Sequence, residues 1–227
     1  MKKIILPGLI SILCMTASGQ FLDKYGLRIG MGLSNQYWHY KNEMVSNLSG
    51  WKDNKTGFIG QVYAEKDFGR YFSFRPALGY IQKGFTDDIT LITAEGEELS
   101  VMDNHVIFHD LSLDLSLKII PFDKNFKPYI FIGLRGGYLL DYRSVIIDSH
   151  GEEYELNTDP YDDFNKFTLG ATVGAGISFK DMLFLDLEYN PAITKNFNSE
   201  GLAIKDRYFS LTAGVNINRL IKKDKKK

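Results

Sequence analysis

The sequence predicts an all-β fold: an eight-stranded antiparallel up-and-down transmembrane β-barrel with short periplasmic turns and long extracellular loops. Three observations carry this expectation. Oily residues alternate with small or charged ones at period two in eight segments, connections between those segments alternate short and long, and no stretch after the leader is apolar for the length of a spanning helix. A chain that crosses a membrane without such a helix must close its strands into a barrel, because an open sheet edge has no hydrogen-bond partners in lipid.

Composition agrees with strands. Among 227 residues there are 13 Tyr, 16 Phe and 21 Gly, a mixture suited to small and aromatic strand positions and poorly suited to long helices. The first 19 residues read as an export leader: Lys2 and Lys3, the apolar run Ile4 to Met15, then Ala17, Ser18 and Gly19 before Gln20. Pro7 and Gly8 interrupt the run, which falls short of the roughly 20 apolar residues of a spanning helix. The predicted organisation is therefore a cleaved leader over 1–19, a barrel domain over 20–220 and a lysine-rich disordered tail over 221–227.

Cys14 follows Leu13, where lipoprotein processing needs a small residue, so it belongs to the apolar core of the leader. The mature chain then has no cysteine, which excludes disulfides, thiolate metal sites and a cysteine nucleophile. Without Lys2 and Lys3 the basic count falls from 27 to 25 against 28 acids, a net charge of 25 − 28 = −3. Such a balance predicts no nucleic-acid binding.

The strands follow in order. In Leu27–Ser34, Leu27, Ile29, Met31 and Leu33 point one way and Arg28, Gly30, Gly32 and Ser34 the other. Gly57–Lys66 is noisier, as is Tyr71–Lys83, where Phe72, Phe74, Leu78 and Tyr80 oppose Ser73, Arg75, Ala77 and Gly79. Leu111–Ile120 is the cleanest, with Leu111, Leu113, Leu115, Leu117 and Ile119 against Ser112, Asp114, Ser116 and Lys118. Tyr129–Asp141 sets Ile130, Ile132 and Leu134 against Gly133, Arg135 and Gly137. Phe167–Phe179 alternates throughout, its odd positions apolar and its even ones Thr, Gly and Ser. Leu183–Tyr189 opposes three leucines and Tyr189 to Phe184, Asp186 and Glu188, and Phe209–Ile217 repeats the pattern with Ser210, Thr212, Gly214 and Asn216. Eight is the smallest barrel whose interior side chains just fill, and an even number returns both ends to one side of the membrane.

Asp67–Arg70, Pro121–Lys127 and Lys180–Met182 are the short connections; Gln36–Thr56, Phe85–Asn104, Arg143–Asn165 and Thr194–Asp206 are long and polar. Asp87–Asp103 keeps an alternation of its own and is expected to prolong a hairpin beyond the membrane. Two aromatic girdles are expected. One runs through Tyr25, Phe68, Tyr71, Phe72, Phe122, Phe126, Tyr129, Phe179 and Phe184 near the short turns; the other through Tyr37, Trp38, Tyr80, Phe85, Phe108, Tyr142, Phe167, Tyr189 and Tyr208 near the long loops.

A secreted soluble barrel carrying a lipophilic ligand also alternates, but with its oily face inward. Here the non-oily face joins Gly, Ala, Ser and Thr to Arg28, Glu65, Arg75, Asp110, Asp114, Lys118, Arg135, Asp186 and Glu188. Small residues make room in a narrow lumen, and four basic against five acidic groups are near balance. The expectation is a lumen charge network that plugs the barrel, not an open channel.

Chemistry is sparse. His39, His105, His109 and His150 fall in or beside the long loops. His105 and His109 would lie about 13 Å apart on an extended strand at roughly 3.3 Å per residue, too far to share a metal. Asp103, His105, His109 and Asp110 offer the one rim acid/base grouping, the basis of a rival reading as a barrel hydrolase or acyltransferase. Gly133–Gly137 and Gly170–Gly176 lack the strand–loop–helix context of phosphate loops. Asp87, Asp88, Glu95, Glu97 and Glu98, and Asp148 through Asp163, make two loops acidic without the spacing of a calcium loop. No catalytic, cofactor or metal site is assigned.

Several phrases, “YGLRIGMGLSN”, “GFIGQVYAEKDFGRYFSFRPALGYIQKG”, “LSLDLSLKIIPF”, “KPYIFIGLRGGYLL”, “VGAGISF” and “LFLDLEYNPAIT”, together resemble the PorT-like outer-membrane β-barrel family of Bacteroidetes across nearly the whole mature chain. The resemblance implies an eight-stranded barrel in the outer membrane. Its name-giving member is tied to a secretion and gliding machinery while most relatives have no assigned role, so fold and location carry over and the secretion function does not; a protein partner in a secretion system stays open, beside the expected outer-membrane lipid, lipopolysaccharide and barrel-assembly machinery. Such barrels commonly end on an aromatic residue, whereas this chain runs Asn216-Ile217-Asn218-Arg219-Leu220 into lysines. The functional expectation is a non-enzymatic barrel, structural or binding through its outer loops.

Overall fold

The computed structural model describes residues 22–92, 98–122, 125–147, 152–155 and 163–218. The expected leader and lysine tail lie outside these residues, as do Cys14, His150 and the loop acids Glu95, Glu97, Asp148, Asp159 and Asp162. Eleven strands occur among the described residues: Lys24–Tyr40 (β1), Gly50–Trp51 (β2), Asp53–Phe68 (β3), Phe72–Ile92 (β4), Glu98–Ile119 (β5), Phe126–Ile147 (β6), Glu153–Glu155 (β7), Phe167–Phe179 (β8), Leu183–Pro191 (β9), Phe197–Asn198 (β10) and Leu202–Asn216 (β11).

Eight of them form a ring, each antiparallel to its neighbours in the order β1, β3, β4, β5, β6, β8, β9, β11. The ring closes through β11 and β1, paired without a break from Gly26↔Asn216 to Tyr40↔Leu202. The short β2, β7 and β10 add to the ring at the long-loop end, against β1, β6 and β11. The strands outrun the period-two segments: β5 begins at Glu98, and β4 stays paired with it from Phe72↔Ile119 out to Ile92↔Glu98. The hairpin extension expected over Asp87–Asp103 is present in the described residues as pairing from Asp87↔Asn104 to Ile92↔Glu98, with a register shift between Leu91 and Ile92. Beyond the apolar belt the outward face of a strand no longer has to be oily, so the alternation weakens while its hydrogen bonds continue.

The short turns are built locally. Phe179–Met182 closes with Met182 N–H donating to Phe179 O at 3.0 Å, and both Lys180 and Asp181 have positive φ, at 52° and 53°. That is the twist-compatible hairpin turn that usually takes Asn-Gly. Here the Lys127 ammonium pairs with the Asp181 carboxylate at 2.8 Å, and Asn216 Nδ2 donates to Asp181 O at 2.7 Å, holding a conformation that non-glycine residues disfavour. The β3–β4 turn instead places Gly69 at φ 67°.

The faces divide as a membrane barrel requires. Ile29, Met31 and Leu187 are each about 60% exposed on the outside, while Arg28, Arg75 and Asp186 are at most 2% exposed within. That arrangement is opposite to a soluble ligand-carrying barrel. The aromatic girdles need correction. Phe68, Tyr71, Phe72, Phe122, Phe126 and Phe167 are outward and exposed, but Tyr129, Phe184, Phe85, Phe108 and Tyr208 are buried inside. Their phase along the strand, not their nearness to a turn, decides which way they face.

Inward rings need partners without side chains. Phe131 is directly opposite Gly174, Tyr129 opposite Gly176 and Phe184 opposite Gly214. A Cβ on Gly214 would come within 2.1 Å of Phe184 Cζ, and one on Gly174 within 2.4 Å of Phe131 Cζ. Each ring lies over the bare backbone of the neighbouring strand, and this pairing fits large side chains into an eight-stranded lumen.

Candidate functional site

The lumen is filled in layers, from the short-turn end to the long-loop end. In the first, Glu65 is shared by Lys24 at Oε1 and Lys118 at Oε2, both at 2.7 Å. Lys24 also reaches Asp67 at 3.0 Å, and the Lys118 ammonium lies 4.1 Å from the Tyr129 ring centroid. In the next, Arg75 sits between the Phe131 and Phe184 rings at 5.1 and 5.4 Å, with Nη1 2.8 Å from Asp186 Oδ2 but off the hydrogen-bonding angle. Tyr129 donates to the other Asp186 oxygen at 2.5 Å.

The central layer is a ring of four charges. Arg28 pairs with Asp114 at 2.8 Å and with Glu188, while Arg135 pairs with Glu188 at 2.8 Å and with Asp114. Gln61 completes it, accepting from Arg28 Nε at 2.6 Å and donating to Asp114 at 2.7 Å. Each carboxylate thus meets two guanidinium groups, an alternation in which every charge faces its opposite. Above it Lys83 bridges Asp110 at 2.7 Å and Asp206 at 3.2 Å. Over that lies an apolar cap of Phe85, Val106, Phe108, Phe164 and Ile204, with Trp38 and Tyr142 packed against it.

All nine charged residues assigned to the lumen are buried, and each has an oppositely charged partner at 4 Å or closer. They fall in three groups: Glu65 with Lys118; Arg75 with the Arg28, Asp114, Arg135, Asp186 and Glu188 cluster; and Asp110 apart with Lys83. Sequence reasoning missed Lys24, Lys83 and Asp206. With them and the half-buried Asp67 on Lys24, four bases and five acids become six and seven among the described residues. Lys24 is in phase with Arg28 and Lys83 with Arg75, so extending the period by one or two steps would have found both. Asp206 stood in what read as a loop.

A cavity of about 40 Å³ lies between the charge ring and the cap, lined in part by Lys83, Arg135, Asn190, Asn196 and Tyr208. Arg135 Nη1, Asn190 Nδ2, Asn196 Oδ1 and the Tyr208 hydroxyl have no hydrogen-bond partner among the described residues. A cavity of that size and polarity suits ordered water.

Of the four rim residues, Asp103 acts electrostatically on His105, while His109 and Asp110 part ways. His109 meets the Tyr80 hydroxyl through Nδ1, with the rings stacked 5.8 Å apart, whereas Asp110, the next residue, is buried in the lumen on Lys83. His105 Nδ1 lies 3.0 Å from Lys55 Nζ. Partial burial and the Lys55 ammonium hold the His105 pKa below the ordinary imidazole value. At the opposite end, the Asp67 N–H donates to the Asp23 carboxylate at 2.9 Å with Lys66 beside it, which lowers the Asp23 pKa. Among the described residues no three His, Cys, Asp or Glu side chains form a metal-holding group.

Residues 19–198 match a family described as outer membrane protein beta-barrel domain. No curated protein matches the chain. Similar solved structures include the attachment invasion locus protein Ail of Yersinia pestis, at 11% identity and a TM-score of 0.39 over 85% of this chain and 97% of that one. The outer membrane protein OprG of Pseudomonas aeruginosa gives 9% and 0.44 over 86% and 96%. The outer membrane enzyme PagL gives 11% and 0.37 over 82% and 99%.

Proposed function

The chain belongs to the outer membrane protein beta-barrel domain family, and from that premise we propose that it is a closed, non-enzymatic barrel whose long loops bind a ligand or partner outside the cell. Its place is the outer membrane, as for the family. The finer kinship is with the PorT-like barrels of Bacteroidetes, supported by the phrases quoted above, and a link to secretion follows from that kinship alone. The leader over 1–19 directs export, the barrel-assembly machinery inserts the ring, and the short turns face the periplasm.

One observation carries the proposal: the lumen is occupied by buried, mutually paired charges under an apolar cap. Ions or solutes could pass only by stripping carboxylates from guanidinium groups in a site poor in water, and removing one member of such a buried pair costs about 3–5 kcal/mol. Function is thereby left to the loops. Purified protein in a planar lipid bilayer should show no steady conductance steps. A persistent open level would overturn the closed-barrel reading.

A further inference from the structure

Just beyond the apolar belt, on the outside of the ring, stands a cationic and aromatic cluster. Outward positions of β11 run Leu211 and Phe209, each roughly half exposed, and then Arg207 and Lys205; those of β1 run Met31 and Leu33, then Asn35 and Tyr37. The register Asn35↔Arg207 and Tyr37↔Lys205 sets them side by side, and Tyr37↔Trp51 adds β2 to the same face. Arg207 lies two residues past Phe209, about 7 Å farther along the strand. That is headgroup height at the long-loop end.

The guanidinium is held in place. Arg207 Nε donates to Asn35 Oδ1 at 2.7 Å, and Asn35 Nδ2 donates in turn to Asn54 Oδ1 at 2.8 Å. Its Cζ lies 3.7 Å from the centroid of the Trp51 ring, which is tilted against Tyr37 at 5.1 Å. One edge of the fork is fixed and one face stacked, so both Nη groups are left to an outside partner. In the lumen Lys24, Arg28, Arg75, Lys83, Lys118 and Arg135 each meet a carboxylate. Among the described residues neither Arg207 nor Lys205 has one.

We propose that Arg207 and Lys205, backed by Trp51, Tyr37 and Asn35, clamp a phosphate of the phosphorylated glycolipid in the outer leaflet. A planar fork and an adjacent ammonium match a phosphate by charge and geometry, and an indole at the polar boundary anchors the ring at that depth. The cluster is continuous with the lipid-facing belt, which presents the partner to it. This assignment rests on the outward orientation of the long loops proposed above.

The test uses the full barrel in neutral detergent micelles, titrated with a bis-phosphorylated glucosamine lipid, the same lipid dephosphorylated, and phosphatidylglycerol. The wild-type protein should bind the bis-phosphorylated lipid roughly tenfold or more tightly than either of the others, and R207Q/K205Q should lose that preference while keeping the heat-modifiable gel mobility of a folded barrel. Equal binding of phosphorylated and dephosphorylated lipid, or a preference that survives R207Q/K205Q, overturns the clamp and leaves two solvated side chains. Equal binding of phosphatidylglycerol overturns the glycolipid as source. Orientation is read separately, by labelling Leu48→Cys on intact cells with a membrane-impermeant thiol reagent. Unlabelled cells would reject the outward loops while leaving the micelle preference standing.

Discussion

At the residue scale, burial decides what a charge contributes. Arg28 is 2% exposed and serves Asp114, Glu188 and Gln61 at once. Arg28→Met leaves Asp114 and Glu188 to share Arg135 alone out of water, and should destabilise the barrel by about 3–5 kcal/mol in urea unfolding from lipid. Lys52→Met, whose pair with Asp87 at 2.5 Å is partly solvated, should cost under about 1 kcal/mol. Equal losses would contradict the lumen as the seat of electrostatic stability. His105 supplies a pH dependence of the opposite end of the molecule. Its folded pKa lies below its unfolded value of 6.5, so below that pH the unfolded state binds more protons. The stability it contributes is full above pH 6.5 and falls as pH drops toward the folded pKa. Protection of the β4–β5 extension in hydrogen exchange should weaken over that window in the wild type, and His105→Gln should flatten the change.

At the scale of elements, each inward ring depends on a glycine in the next strand. Gly214→Val should prevent or severely impair folding, because its Cβ would meet Phe184 on β9 at 2.1 Å. Gly214→Ala combined with Phe184→Leu should recover a heat-modifiable barrel that Gly214→Ala alone forms poorly. Additive losses would show that the contact is not the cause. The alternation was legible wherever one face meets lipid, as in Leu111–Ile119, and from it came the ring, the sense of its faces and the phase of the lumen charges. It carried as far as the hairpin extension over Asp87–Asp103, which keeps an alternation of its own, but not to Leu202–Tyr208, where the strand stands clear of the belt and its outward face is free to be polar. The inward aromatics were misplaced for a related reason: Tyr129 and Phe184 satisfy both a girdle and a lumen position by composition, and the glycines opposite them belong to other strands that only the register identifies.

At the scale of the whole molecule, an oily outside, a lumen of near-balanced charge and an apolar cap describe a plug built from the barrel's own wall. Among the described residues six bases and seven acids share a narrow interior, and the layers seen here give each base an acidic partner, since an unpaired buried charge is costly. The most direct measurement is a thiol accessibility scan of β5 in reconstituted membranes, made on a chain freed of its leader and hence of Cys14. Leu113→Cys and Leu115→Cys should react with a lipid-soluble maleimide and not with a charged aqueous reagent, whereas Ser112→Cys and Ser116→Cys should react with neither. Rapid reaction of Ser112→Cys and Ser116→Cys with the aqueous reagent would mean a water-filled lumen and would contradict the closed barrel.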